Sequence, residues 1–213
     1  RFEVLSAAQT ALVARIPVAH IHGGEATKGL IDDPIRHALT KLSHYHFVSA
    51  DPFRARVIQM GEHPDRVHQD GAPGLDQLRR IDLMDRDEFE ESIDFELGDR
   101  ACIVTYHPVT LSDMPPEKPF RELLGALDDV PDLQIIFTKT NADTDGRIIN
   151  QLIDEYVTEN SERACAYTSL GQRRYLSALH HMDAVVGNSS SGIIEAPAIP
   201  VPTVNLGDRQ GGR

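Results

Sequence analysis

Short apolar runs alternate with segments of helical period along nearly the whole chain, and no other feature restricts the fold as much. "PVAHIH" reads as a strand and "DPIRHALTKLSH" as a helix; "YHFVSA", "PFRARVIQMG" and "RVHQDG" continue as strand, helix and strand. Further on, "RACIVTYHP", "LQIIFTKTN", "RACAYTSL", "DAVVGNSSSG" and "PVPTVNLGD" read as strands. Between them, "PFRELLGALDDV", "TDGRIINQLIDEYVTEN", "QRRYLSALHHM" and "SGIIEAPAI" have helical spacing. Strands that alternate with helices of about a dozen residues predict βαβ units and parallel sheets buried on both faces. The expected class is α/β.

The pattern breaks near residues 77–99, which predicts two Rossmann-like parallel-sheet domains. Residues 1–80 hold about three strands and read as an incomplete N-terminal domain. Residues 100–213 hold five strands and read as a C-terminal domain truncated at its end. The chain opens in mid-helix at Arg1 and stops at "GDRQGGR", so it is expected to be an internal piece of a larger two-domain protein. A single, smaller α/β domain is the alternative.

Charge narrows the partners. The net charge of −12 is concentrated in residues 81–99, "IDLMDRDEFEESIDFELGD", which carry −8, whereas residues 1–80 carry +1. That acidic stretch reads as a solvated helix and linker. No basic footprint exists for nucleic acid or an anionic membrane, so neither is an expected partner. No apolar run approaches the roughly 20 residues that cross a bilayer, and the N-terminus lacks a signal-peptide layout. Cys102 and Cys165 lie in strand-like runs and read as reduced core residues. A cytoplasmic location is expected.

In open parallel sheets, ligands bind beyond the carboxyl ends of the strands. Four strand ends are densely polar: "HIHGGE", "TYHPVT", "TKTNAD" and "VGNSSSG". In the last, a Gly-Asn-Ser-Ser-Ser-Gly turn leads into a helix, and free N–H groups there with the hydroxyls of Ser189 and Ser190 suit phosphate oxygens. An ordinary serine N-cap is the alternative. No lysine follows as in a Walker loop, which speaks against an ATPase. Glu195, on the first turns of that helix, is suited to accept from ribose hydroxyls or is a surface glutamate. His107 directly follows an apolar strand, where it meets a phosphate or leaving group or merely bonds to backbone. Asn141 ends the next strand and is either a ligand contact or a turn residue.

The first of these strand ends opens the richest stretch, "HIHGGEATKGLIDDPIRH". His20 and His22 alternate along one strand and are expected to share a face. A metal site needs three or four convergent ligands, and His-x-His alone does not supply them, so no metal is expected. Gly23-Gly24 permits a tight turn or close approach to a ligand. Pro34 suits a first helical position, which makes Asp33 a natural N-cap. That leaves Glu25, Asp32 and the histidines without a structural reason. Carboxylates gathered at one cleft raise one another's pKa, as proton abstraction from carbon requires.

"HIHGGEATKGLIDDPIRHALTKLSHYHF", "TYHPVT", "TKTNADTDGR" and "VGNSSSGIIEAP…VPTVNLGDRQGGR" closely resemble, in order and over essentially the whole chain, the hydrolysing UDP-N-acetylglucosamine 2-epimerases of sialic-acid biosynthesis. The non-hydrolysing 2-epimerases are similar but have a Glu-Ala-Gly type turn where this chain has Gly-Gly-Glu. The resemblance implies a GT-B-like fold with UDP on the C-terminal domain and the sugar on the N-terminal one. It implies loss of UDP to a 2-acetamidoglucal, then hydration with inversion at C2, without metal or other cofactor. His20, Glu25, Asp32 and Asp33 correspond to the sugar-side acid–base set and His107 to the histidine near the diphosphate. Ser189 and Ser190 correspond to the phosphate-binding pair, Glu195 to the ribose carboxylate, and Arg1, Asn141 and Arg209 to further substrate contacts.

Against that family, an N-terminal strand with its phosphate loop, an aspartate before Arg1 and closing C-terminal helices are missing, so the piece alone is expected to have little activity. A homo-oligomer is expected of the full-length protein. Competing readings are a hydrolysing 2-epimerase of UDP-N,N'-diacetylbacillosamine, the non-hydrolysing relative, a GT-B glycosyltransferase and a non-catalytic nucleotide-sugar binding module.

Overall fold

The computed structural model describes residues 2–27, 30–109, 114–141 and 145–212. The chain divides into two compact units, residues 1–77 with 210–213, and residues 78–209. Both are built on parallel sheets.

In the first unit, α1 (Phe2–Val13) precedes β1 (Ala19–Ile21), α2 (Asp32–Leu42), β2 (Tyr45–Val48), α3 (Asp51–Gln59), β3 (Val67–Gln69) and the single turn α4 (Pro73–Asp76). The strands lie in the order β1-β2-β3, with His20 beside His46 in register. Its core is small: Val48, Val57 and Val67, with Phe53 and Ile58 against them. The helix α2 starts earlier than its proline suggests. Asp32 and Asp33 are its first two residues and Ile31 precedes it, so Asp33 is inside the helix and is not its cap.

The second unit contains α5 (Arg86–Ile93), β4 (Ala101–Thr105), α6 (Glu117–Asp128), β5 (Gln134–Thr138), α7 (Gly146–Glu159), β6 (Ala164–Tyr167), α8 (Gly171–His181), β7 (Ala184–Gly187), α9 (Ser191–Ile194) and β8 (Thr203–Asn205). Sheet order is β6-β5-β4-β7-β8. The chain steps outward from β4 to β6, then returns to the other side of β4 with β7. That reversal opens a crevice between the carboxyl ends of β4 and β7, where ligands bind in such sheets. Side chains alternate across the sheet. Ala101 and Ile103 pack with Phe89, Leu97 and Leu179 on one face; Cys102 and Val104 pack with Phe120, Phe137 and Ile149 on the other.

Two segments differ from the sequence reading. The acidic stretch belongs to the second unit's core: Phe89, Ile93 and Leu97 are buried, while Asp85 caps α5 by accepting from the Glu88 amide at 2.9 Å. Its acids cover the solvent side of a helix whose other side is apolar. The helix expected after the triple serine is only the four residues of α9, followed by a 3-10 turn at Ala196–Ala198. Pro197 has no N–H to continue an α-helix. Among the described residues no helix is long and apolar enough to cross a membrane.

Candidate functional site

In the first unit, the loop from β1 to α2 is held from three sides. The His22 amide donates to the Phe47 carbonyl at 2.9 Å, the last bond tying this edge to β2. The chain then turns through left-handed backbone at His22 (φ 61°) and Gly24 (φ 80°). A side chain at Gly24 would run into the Phe53 carbonyl and Val57, so glycine is required there. The Arg56 guanidinium donates to the Gly24 carbonyl. Arg36, from α2, donates to the Glu25 carbonyl at 3.1 Å and to the Thr27 hydroxyl at 3.2 Å. The Asp33 carboxylate accepts from the Thr27 amide at 2.8 Å, and its other oxygen lies 3.5 Å from His37. Asp33 therefore fastens the loop and leaves the helix uncapped.

The histidines take distinct environments. The Thr40 hydroxyl donates to the Arg36 carbonyl at 3.2 Å and accepts from His20 Nδ1–H at 3.2 Å. Burial first, then the neighbouring His46 and Arg36, pushes the His20 pKa down to about 4. The ring is neutral at pH 7 and presents Nε2 as an acceptor. His46 behind it is fully buried; its Nε2 lies 3.2 Å from Glu62, which Lys41 also binds at 2.5 Å. His22 falls beyond β1 in left-handed backbone, so strand alternation does not set its direction as the sequence had suggested. Its Nδ1 lies 3.0 Å from Glu25, which is buried. Asp32 is half-buried in the first turn of α2.

In the second unit, His107 and Asn188 meet across the crevice between β4 and β7. The His107 amide donates to Asn188 Oδ1 at 2.7 Å, and Asn188 Nδ2 donates to the His107 carbonyl at 2.8 Å. This two-way clamp explains why Gly187 must be glycine: with φ 138°, any side chain would collide with the Thr105 carbonyl. His107 Nδ1 lies 2.8 Å from the Thr140 hydroxyl, and Asn150 brackets the Thr140 backbone with bonds of 2.8 and 3.3 Å. Arg209 is buried and donates to the Asn188 carbonyl at 2.9 Å, so it braces the serine turn from behind.

A cavity of about 380 Å³ opens at these strand ends, lined by His107, Asn141, Ser189, Ser191, Tyr175 and Gln172 among others. The Tyr175 hydroxyl donates to Ser191 at 2.5 Å, and the Ser189 hydroxyl accepts from the Ser191 amide at 3.3 Å. Burial pushes the Tyr175 hydroxyl up to about 12. Ser190 precedes the short α9 without a side-chain capping bond. With so short a helix, anion affinity here rests on loop hydroxyls and amides more than on a macrodipole. Glu195 is half-buried, and its Oε2 is enclosed with no hydrogen-bond partner among the described residues.

The structure thus gathers His20, Glu25, Asp32 and Asp33 around one loop. It gathers His107, Asn141 and Ser189 around one cavity, with Arg209 behind; Arg1 lies outside the described residues. Sequence reasoning named His22 only as sharing a strand face with His20, and passed over Arg36, Arg56, Thr140, Tyr175 and Asn188. Arg36 falls three positions after Asp33 on the same helix, a spacing that was legible. Asn188 sat inside the quoted serine turn.

Two parallel-sheet units, each with polar groups massed at strand ends, define an α/β protein of the Rossmann-like, GT-B-like class. Residues 1–213 match the family model for UDP-N-acetylglucosamine 2-epimerase, and the chain belongs to that family. It is 39% identical over 213 residues to a Campylobacter jejuni protein named GDP/UDP-N,N'-diacetylbacillosamine 2-epimerase (hydrolyzing), covering 100% of this chain and 56% of that protein. A Legionella pneumophila UDP-N,N'-diacetylbacillosamine 2-epimerase (hydrolyzing) is 39% identical over 210 residues, with coverage of 99% and 55%. A Neisseria meningitidis UDP-N-acetylglucosamine 2-epimerase is 34% identical over 213 residues, with coverage of 100% and 55%. The chain spans little more than half the length of these relatives. A solved UDP-GlcNAc 2-epimerase from Neisseria meningitidis bound to UDP-GlcNAc shares the fold with a TM-score of 0.76 at 16% identity, over 96% of this chain and 56% of that one.

Proposed function

We propose that the protein containing this chain is a hydrolysing 2-epimerase of UDP-2-acetamido sugars. It converts UDP-N-acetylglucosamine and water to N-acetylmannosamine and UDP, through loss of UDP and hydration of the resulting glycal. The observation that carries the nucleotide half is the cavity at the β4–β7 reversal, with His107 and Ser189 in its wall. In this reading Ser189 and Ser190 hold the diphosphate and His107 meets the departing oxygen. Glu195 is the carboxylate that accepts from ribose hydroxyls, and Asn141, in the cavity wall, contacts the nucleotide. Arg209 acts through the Asn188 carbonyl and shapes the phosphate turn. On the sugar side, the loop carrying Glu25, Asp32 and Asp33 beside His20 supplies the acid–base groups.

A second reading of the substrate has its own support. The chain is 39% identical to two diacetylbacillosamine 2-epimerases and 34% to the UDP-N-acetylglucosamine enzyme. That favours UDP-N,N'-diacetylbacillosamine, with the same chemistry at C1 and C2. Proton NMR in D₂O on the protein at its full encoded length, given each UDP sugar in turn, tests both. The expected result is free UDP and a free 2-epimerised sugar carrying deuterium at C2. A UDP-linked epimer would replace this reading with a non-hydrolysing one, and inertness toward both sugars would reject it.

A further inference from the structure

We infer that His22, held by Glu25, is the base that takes the C2 proton, and that Glu25 is a positioning residue that never touches the sugar. This deepens the epimerase reading and rests on it. Glu25 is badly placed to meet a substrate: only 4% of its side chain is exposed, against 37% for His22. One carboxylate oxygen, Oε1, lies 3.0 Å from His22 Nδ1 and 3.4 Å from the donating Ser49 hydroxyl. An ionised carboxylate only accepts, so Nδ1 carries the hydrogen and donates it. The lone pair is then on Nε2, which has no hydrogen-bond partner among the described residues and belongs to a side chain that is 37% exposed.

The backbone explains how the pair forms. β1 ends at Ile21, and His22 sits at φ 61°, a conformation that a residue with a side chain adopts at a cost. Continued strand geometry would alternate His22 with Ile21. The left-handed turn, followed by Gly23 and Gly24, instead brings Glu25 back to the imidazole three residues on. Histidine held through Nδ1 by a buried carboxylate, with Nε2 open, is the arrangement that fixes a tautomer and stabilises the imidazolium once a proton arrives.

The step balances without a further reactant. The C1–O bond breaks with its electron pair leaving on UDP, the C2–H pair becomes the C1=C2 bond, and the proton passes to His22 Nε2. Glu25 stabilises the cation until solvent removes the proton. Hydration then places hydroxide on C1 and a new proton on C2 from another group, so His22 is needed for elimination and dispensable for hydration.

The test uses the protein at its full encoded length. His22→Asn keeps a residue that tolerates left-handed backbone, and His22→Gly leaves room for free imidazole. In both, UDP release from the UDP sugar should fall at least about 100-fold with KM within about threefold. Hydration of 2-acetamidoglucal should stay within about threefold of wild type, and added imidazole should restore part of UDP release to His22→Gly. Glu25→Gln should lower kcat with little change in KM and show no imidazole rescue. UDP release within about fivefold of wild type in His22→Asn would overturn the assignment, as would equal loss of both half-reactions. A wild-type protein that releases no UDP from either sugar would instead reject the parent reading, and this assignment with it.

Discussion

At pH 7 the His20 ring is neutral, because burial and the nearby positive groups push its pKa down to about 4. In the unfolded chain it titrates near 6.5. Between those values the unfolded state binds a proton that the folded state refuses. The contribution to stability is therefore complete above about pH 6.5 and lost as pH falls toward 4. His20→Asn offers Thr40 an amide donor in place of Nδ1–H and has nothing to titrate. Urea midpoints measured from pH 7 to pH 4 should fall more steeply for wild type, by up to about 2–3 kcal/mol at the acid end. His46 is also depressed by burial, but it is present in both proteins and cancels in the comparison. Parallel curves would show that His20 is not held neutral. Residue type was legible here: the sequence marked His20 and Glu25 as a titratable cluster. Which of them is buried and which presents a lone pair was not, because that depends on Thr40, twenty residues away, and on one left-handed residue.

At the scale of elements, α5 shows where composition misleads. Its stretch carries −8, and that charge hides Phe89 and Ile93, four apart on one face of the helix, and Leu97 just past its end. All three are buried with Leu179 and Ile103. Removing the fully buried Phe89 ring leaves a cavity between α5 and the sheet. Phe89→Ala should cost about 3–5 kcal/mol in equilibrium denaturation, whereas Glu91→Ala, on the exposed side, should stay within about 0.5 kcal/mol. A linker helix would show neither loss. The central strands were the most readable, because β4 is an apolar run buried throughout and β5 is buried except at its ends, whereas β1, β3 and β8 are three-residue strands with exposed positions. The end of α9 was readable too, from Pro197, though the run "SGIIEAPAI" had the right period for a longer helix.

Across the whole molecule, the two units are unequal. The first rests on Val48, Val57 and Val67, with Phe53 and Ile58 beside them, around strands of three and four residues. The second has a core on each face of a five-stranded sheet, including Phe89, Phe120, Phe137, Ile136 and Ile149 with negligible exposure. Apolar burial is the main favourable term in folding, so the units should not open together. β1 carries the proposed sugar-side loop and, among the described residues, pairs with one strand, β2. β4 lies between β5 and β7 with every residue buried. Native-state hydrogen exchange should therefore find the amides of Ala19–Ile21 exchanging at least about tenfold faster than those of Ile103–Thr105, through an opening short of global unfolding. A single protection level across both segments would mean that the two cores unfold as one.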